Sequence, residues 1–112
     1  MPKPTKRSYS RYTRHALALL GGLVRTGRIE RRMTAQELSE RAGISRDMLH
    51  RVEKGDPRCG IGVAFELAAI VGVPLFEPDL ADLRARERDV RGRLALLPKA
   101  VRKEAATVKD DF

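Results

Sequence analysis

Apolar side chains recur every three or four positions along this chain, and no stretch of any length keeps the two-residue rhythm of a strand. The first periodic block runs from Ser10 to Arg31, with Ala16, Leu20, Leu23, Val24 and Gly27 on one stripe. Gly21, Gly22 and Gly27 lie inside it, each costing about 1 kcal/mol relative to alanine. Such a cost suits a face packed closely on another helix. A second helix starts at Thr34, where Glu37 completes a capping box. It carries Ala35, Leu38 and Ala42 and ends at Gly43, a residue that readily turns left-handed. Ser45 caps a third helix with Met48, Leu49 and Val52, stopping at Gly55. Asp56-Pro57 signals a turn, and a fourth helix spans Ile61 to Val71, closed by Gly72 and Pro74. After the bend at Phe76-Glu77-Pro78, a last helix spans Asp79 to Leu97, stopped by Pro98. Its Leu80, Leu83, Val90, Leu94 and Leu97 keep a heptad-like spacing with Glu87 at the missing step. That stripe suits equally a dimer seam and a face packed on its own domain.

The pattern predicts an all-α fold, a compact bundle of about five helices. Residues 1–8 read as a flexible basic arm, 9–76 as the main domain, 77–97 as the C-terminal helix and 98–112 as a flexible tail. Composition narrows the core. The chain is 42% hydrophobic but only 4% aromatic and has no Trp, so the core is aliphatic. The formal net charge of +8 is unevenly spread: residues 1–33 hold nine basic groups against Glu30, whereas 34–112 hold fourteen of each sign. A localised basic excess points to a polyanion, above all nucleic acid. Lys3, Lys6, Arg7 and Arg11 are therefore candidates to reach DNA from the N-terminal end.

Other classes are disfavoured. Cys59 is the single cysteine, which fits a reducing cytoplasm. One Cys with His15 and His50 far apart makes no structural zinc site. No apolar run approaches a membrane span, and "HALALLGGLVRTG" is short, with no cleavage site following it. No nucleophile comes with a base, no glycine-rich phosphate loop follows a strand, and Asp110-Asp111 sit in a tail that cannot hold geometry. The expectation is a non-enzyme without metal or cofactor.

The chemistry concentrates in "SERAGISRDMLHRVEKGDP". Two short helices joined by a tight turn with glycine make a helix-turn-helix unit. Ile44 would plug the angle, with Leu38, Ala42, Leu49 and Val52 buried between the helices. Arg46, Asp47, His50, Arg51 and Lys54 are left facing outward from the third helix, hydrogen-bonding and cationic groups suited to a major groove.

"MTAQELSERAGISRDMLHRVEKG" resembles the helix-turn-helix of the phage-repressor and Cro-like (Xre) family. Thr34, Leu38, Ala42, Gly43, Ile44, Ser45, Val52, Glu53 and Gly55 carry the likeness, which extends over about residues 15–75. It implies that Arg46, Asp47, His50 and Arg51 read bases, that Thr34, Gln36, Ser45, Lys54 and Arg58 meet phosphates, and that Glu53 is structural, bonding the loop after the third helix. It also implies double-stranded DNA as partner and a homodimer on an inverted repeat. One departure stands out. The family's glutamine after the cap is Ala35 here, and Gln36, one residue late, points about 100° away.

A narrower resemblance, on "EKGDPRCGIGVAFELAAIVGVPLF" and "LPKAVRK…DDF", is to the HipB-like antitoxins encoded beside HipA-type kinase toxins. It implies a repressor that also neutralises a HipA-like kinase, with Val101, Val108 and Phe112 of the tail as its partner-binding residues. The alternatives are a stand-alone Xre-type regulator and a protein-binding module that keeps the fold without DNA binding. The basic excess and the polar face of the third helix argue against the last.

Overall fold

Side-chain hydroxyls and carboxylates that accept from free backbone amides open four of the five helices in the described residues. The structure, a computed structural model, describes residues 8–103, in which α1 (Arg11–Glu30), α2 (Ala35–Ala42), α3 (Arg46–Glu53), α4 (Ile61–Ile70) and α5 (Leu80–Ala95) form an all-α fold without strands. Ser10 accepts from the Thr13 N–H, Ser45 from Met48 and Asp79 from Ala81. At Thr34 the predicted capping box is complete: its hydroxyl accepts from the Glu37 N–H at 3.0 Å, and the Glu37 carboxylate accepts from the Thr34 N–H at 2.8 Å. That backbone N–H holds the Glu37 carboxyl below its ordinary pKa. Gly60, before α4, has no side chain to offer.

The first four helices end alike. A residue with positive φ follows each, and the next amide reaches back five residues to close the last turn. Gly43, Gly55 and Gly72 fill that place after α2, α3 and α4 (φ 70°, 80° and 77°). After α1 it falls to Arg32 (φ 57°), with Met33 N–H donating to the Arg28 carbonyl at 3.0 Å. A residue with a Cβ has only a small allowed region there.

The chain divides into two compact units, the first ending at Leu75. Val24, Leu38, Leu49, Val52, Leu67 and Val71 form the buried cluster of the first unit, with Leu20, Met33 and Ile44 packed around it. Each such aliphatic side chain contributes about 1.5–3 kcal/mol when fully buried. The core is aliphatic, as the composition implies.

The inward stripe of α1 differs from the predicted one. Ala16 and Leu23 are exposed, whereas Leu17 and Leu20 are half-buried and Gly21, Val24 and Gly27 are buried. Two glycines decide this phase. A Cβ on Gly21 would run into the carbonyl oxygens of Val52 and Glu53, and one on Gly27 would come within 3.0 Å of Val71. Helix α1 therefore presents these two backbone positions to α3 and to the end of α4. Gly22 faces open space and takes no part. The approach is reciprocal, since a Cβ on Gly55 would strike the backbone of Leu17 and Ala18.

The second unit starts at Phe76 and contains α5. No α5 residue is buried; Leu83 and Val90 are the least exposed of its apolar stripe, at 39% and 41%. The helix stops at Ala95, so Leu97 of the predicted stripe lies beyond it.

Candidate nucleic-acid interface

The α2–turn–α3 unit is built from two eight-residue helices around Gly43. Three residues join the helices, and the first, Gly43, is left-handed (φ 70°), a geometry that costs a residue with a Cβ about 1–2 kcal/mol. Ile44 donates its N–H back to the Ser39 carbonyl and packs its side chain on the core. Leu38 from α2 and Leu49 and Val52 from α3 are buried beneath the corner. Burying those three fixes which side of α3 faces out.

On that outer side Arg46, Asp47, His50 and Lys54 are exposed. Arg46, His50 and Lys54 form no ion pair among the described residues. Arg51 differs from its expected place. Its side chain is 40% exposed, its guanidinium pairs with the Asp47 carboxylate at 3.2 Å, and its Nε is enclosed without a hydrogen-bond partner. Two members of the expected base-reading set are therefore bound to each other in the free protein.

The expected phosphate contacts separate into two groups. Thr34 and Ser45 use oxygen lone pairs to cap their helices, which leaves each hydroxyl proton free to donate. Both stand at helix N-termini, where unpaired amides and the macrodipole favour an anion. Lys54 is exposed at the end of α3. Gln36 and Arg58, by contrast, are engaged locally. The Gln36 amide donates to Glu40 at 2.7 Å. Arg58 folds onto Asp56 through its backbone N–H at 2.8 Å and two guanidinium nitrogens at 3.1 and 3.0 Å. Those bonds from Arg58 hold the Asp56 carboxyl at a pKa of about 2. Arg11 is the first residue of α1 and exposed. Lys3, Lys6 and Arg7 lie outside the described residues, as do Val108 and Phe112; Val101 is 88% exposed beyond α5.

Glu53 does not bond the loop after α3, as the resemblance implies. It pairs with Arg28 of α1 through Nε–Oε2 at 2.9 Å and Nη2–Oε1 at 3.3 Å, with side chains only 5% and 12% exposed. The third donor of Arg28 reaches the Met33 carbonyl at 3.1 Å. One guanidinium thus ties the end of α3 to α1 and to the segment entering α2. Sequence reading missed Arg28, counting it only as charge. Its phase was the available signal, seven residues after Gly21 and four after Val24 on the packed face.

Elsewhere the chemistry is sparse. No group of three His, Cys, Asp or Glu side chains among the described residues could hold a metal ion, and no helix there is long and apolar enough to cross a membrane. His15 is exposed. Burial pushes the Cys59 thiol above its usual pKa, away from the nucleophilic thiolate.

A family model described as a helix-turn-helix domain matches residues 19–83, more than half of the 112-residue chain. No curated protein and no solved structure gives a significant match.

Proposed function

The chain belongs to the helix-turn-helix domain family, and from that premise we propose that it is a sequence-specific transcriptional repressor that lays α3 in the DNA major groove. The observation that carries this reading is the outer face of α3. Arg46 and His50 stand exposed there without an ion pair among the described residues, beside capped N-termini at Thr34 and Ser45 that can take phosphates. Arg46, Asp47, His50 and Arg51 then read bases, and Lys54 anchors the backbone. Gln36 and Arg58 join the phosphate contacts only by leaving their partners Glu40 and Asp56. One short helix reads few bases, so the protein acts as a homodimer on an inverted repeat with half-sites roughly 34 Å apart or a small multiple of that. Selection from a random duplex library followed by footprinting tests this. Protection of two symmetric half-sites supports it, and protection of one asymmetric site overturns it. Arg46→Ala should cost about 1–3 kcal/mol on the selected site and relax one base pair; equal loss on random DNA would make Arg46 a phosphate contact.

A second reading adds a partner. The Gly-Asp-Pro-x-x-x-Ile-Gly turn at Gly55–Gly62 and the Leu-Pro-Lys-Ala-Val-Arg run at Leu97–Arg102 support a HipB-like antitoxin that represses its own operon and neutralises a HipA-like kinase. The test is the neighbouring reading frame: a kinase that copurifies with this chain and is inhibited by it supports the antitoxin role, and no such kinase leaves a stand-alone regulator.

A further inference from the structure

The apolar stripe of α5 is bordered by charge of one sign. Leu80, Leu83, Glu87, Val90 and Leu94 take the seam positions of a heptad, and Arg84, Arg86, Arg91 and Arg93 take the positions flanking it on both sides. Phe76, Leu83, Val90 and Leu94 line an open groove of about 380 Å³ along this face, with Arg86 and Arg91 on its rims. Among the described residues of the second unit no other helix covers it. Leu80, Leu94 and Phe76 are between 62% and 68% exposed.

A second α5 fits this face badly. Paired in parallel and in register, Arg86 faces Arg91 of the other copy and Glu87 faces Glu87. Paired antiparallel about the centre of the helix, Arg84 faces Arg91 and Arg86 faces Arg93. The one attractive flanking pair, Asp79 with Arg84 in the parallel arrangement, draws on a carboxylate that already caps α5 at 2.7 Å from the Ala81 N–H. Like charges at flanking positions decide against a partner, and unlike charges decide for one. Two of the four arginines have an acidic neighbour at home and two have none among the described residues. Arg86 meets Glu77 only at 3.5 Å, Arg91 meets Glu87 at 2.6 Å, and Arg84 and Arg93 form no ion pair among the described residues.

We propose that α5 docks an amphipathic helix of another protein, one with apolar seam residues, acidic flanks and a cation opposite Glu87, and that its arginine borders exclude a second copy of itself. This stands apart from the DNA-binding reading, since it uses no residue of α1–α3.

The test uses the full chain and two synthetic helices of about three heptads. Both have leucine at the seam; one has glutamate flanks with a central lysine, the other lysine flanks with a central glutamate. Fluorescence anisotropy should show the acidic peptide binding about tenfold or more tighter, with the preference shrinking as salt rises from about 50 to about 500 mM. Reversing Arg84, Arg86, Arg91 and Arg93 to Glu should invert the preference, with circular dichroism reporting the fold. Should that variant not fold, the salt dependence on the natural chain still decides. Equal binding of the two peptides, or binding of neither, overturns the proposal. So does a dimer in sedimentation that Leu83→Asp with Val90→Asp dissolves, which would give the face to a second copy. Uptake by anionic phosphatidylglycerol vesicles without peptide preference would give it to a membrane surface and overturn it equally.

Discussion

Arg28 and Glu53 meet as a two-pronged ion pair across α1 and α3, nearly closed off from solvent. Their coupling positions α3, because Glu53 is its last residue and Arg28 is fixed on the packed face of α1. Breaking a buried pair leaves the surviving charge without compensation, typically at about 3–5 kcal/mol. Arg28→Ala should therefore destabilise the first unit by about 3 kcal/mol. Arg28→Ala with Glu53→Leu should cost less than the single change, because no charge is stranded. Urea unfolding of the natural chain, both single variants and the double one measures this; additive losses would show that the two residues do not act as a pair.

Neighbouring glycines in α1 should respond in opposite directions. A Cβ at Gly21 collides with α3 backbone carbonyls, which cannot swing away as a side chain can. Gly21→Ala should destabilise by more than about 2 kcal/mol, the range of overpacked cores. Gly22 is exposed with open space around it. Gly22→Ala should stabilise by about 1 kcal/mol through helix propensity alone. Thermal melts of the two variants side by side check the pair of signs.

How far the sequence could be read follows from the range of each interaction. Helix starts at Ser10, Thr34, Ser45 and Asp79 and the ends at Gly43, Gly55 and Gly72 are set within four or five residues, and each was legible. The phase of α1 was not. Leu17, Leu19, Leu20 and Leu23 surround that helix, so apolar periodicity alone permits several stripes. What selects one is the approach of α3 to Gly21, a tertiary event. The Arg28–Glu53 pair spans 25 residues, and no local pattern announces it. Arg58 and Gln36 were assigned to phosphates by position in the motif, whereas Asp56 and Glu40 compete for them two and four residues away.

The left-handed residue that ends α1 is Arg32, while glycine serves after the next three helices. Replacing it should relieve the steric cost of a Cβ in that region. Arg32→Gly is expected to stabilise by about 1 kcal/mol, the αL cost less some unfolded-state entropy. Arg32→Val should destabilise, since a β-branched side chain is the worst fit to positive φ. Denaturant midpoints at fixed pH order the three proteins.

Asp56 predicts an acid limb to stability. Its carboxyl is held at about 2 in the folded chain, against an ordinary 3.8, by the Arg58 hydrogen bonds. A depressed folded pKa means that the unfolded chain binds the proton more readily. The contribution is fully present above about pH 4 and is lost as pH falls toward 2. Asp56→Asn should therefore melt below the natural chain at neutral pH and converge with it near pH 2. A constant gap in melting temperature across that window would show that the turn gains nothing from the charge.

Asp47 and Arg51 should be energetically coupled on DNA. In the free protein they pair at 3.2 Å one turn apart on α3, and the Arg51 Nε is enclosed without a hydrogen-bond partner. The pair is largely solvent-exposed on its Asp47 side, so its own contribution to stability is small. Its effect on recognition is larger. Asp47 repels phosphates near the start of α3 and restrains the guanidinium that would otherwise seek any of them. Asp47→Ala should raise affinity for random duplex while narrowing the ratio of specific to random binding. Arg51→Ala should cost about 1–3 kcal/mol on the selected site and much less on random DNA. If the carboxylate aims the guanidinium at its base, the double variant will lose less specificity than the two single losses added together. Anisotropy titrations of four proteins on selected and random duplexes at one salt concentration complete the cycle. Equal weakening of both duplexes by Asp47→Ala would reduce Asp47 to a helix N-terminal charge that serves α3 alone, and the coupling would be absent.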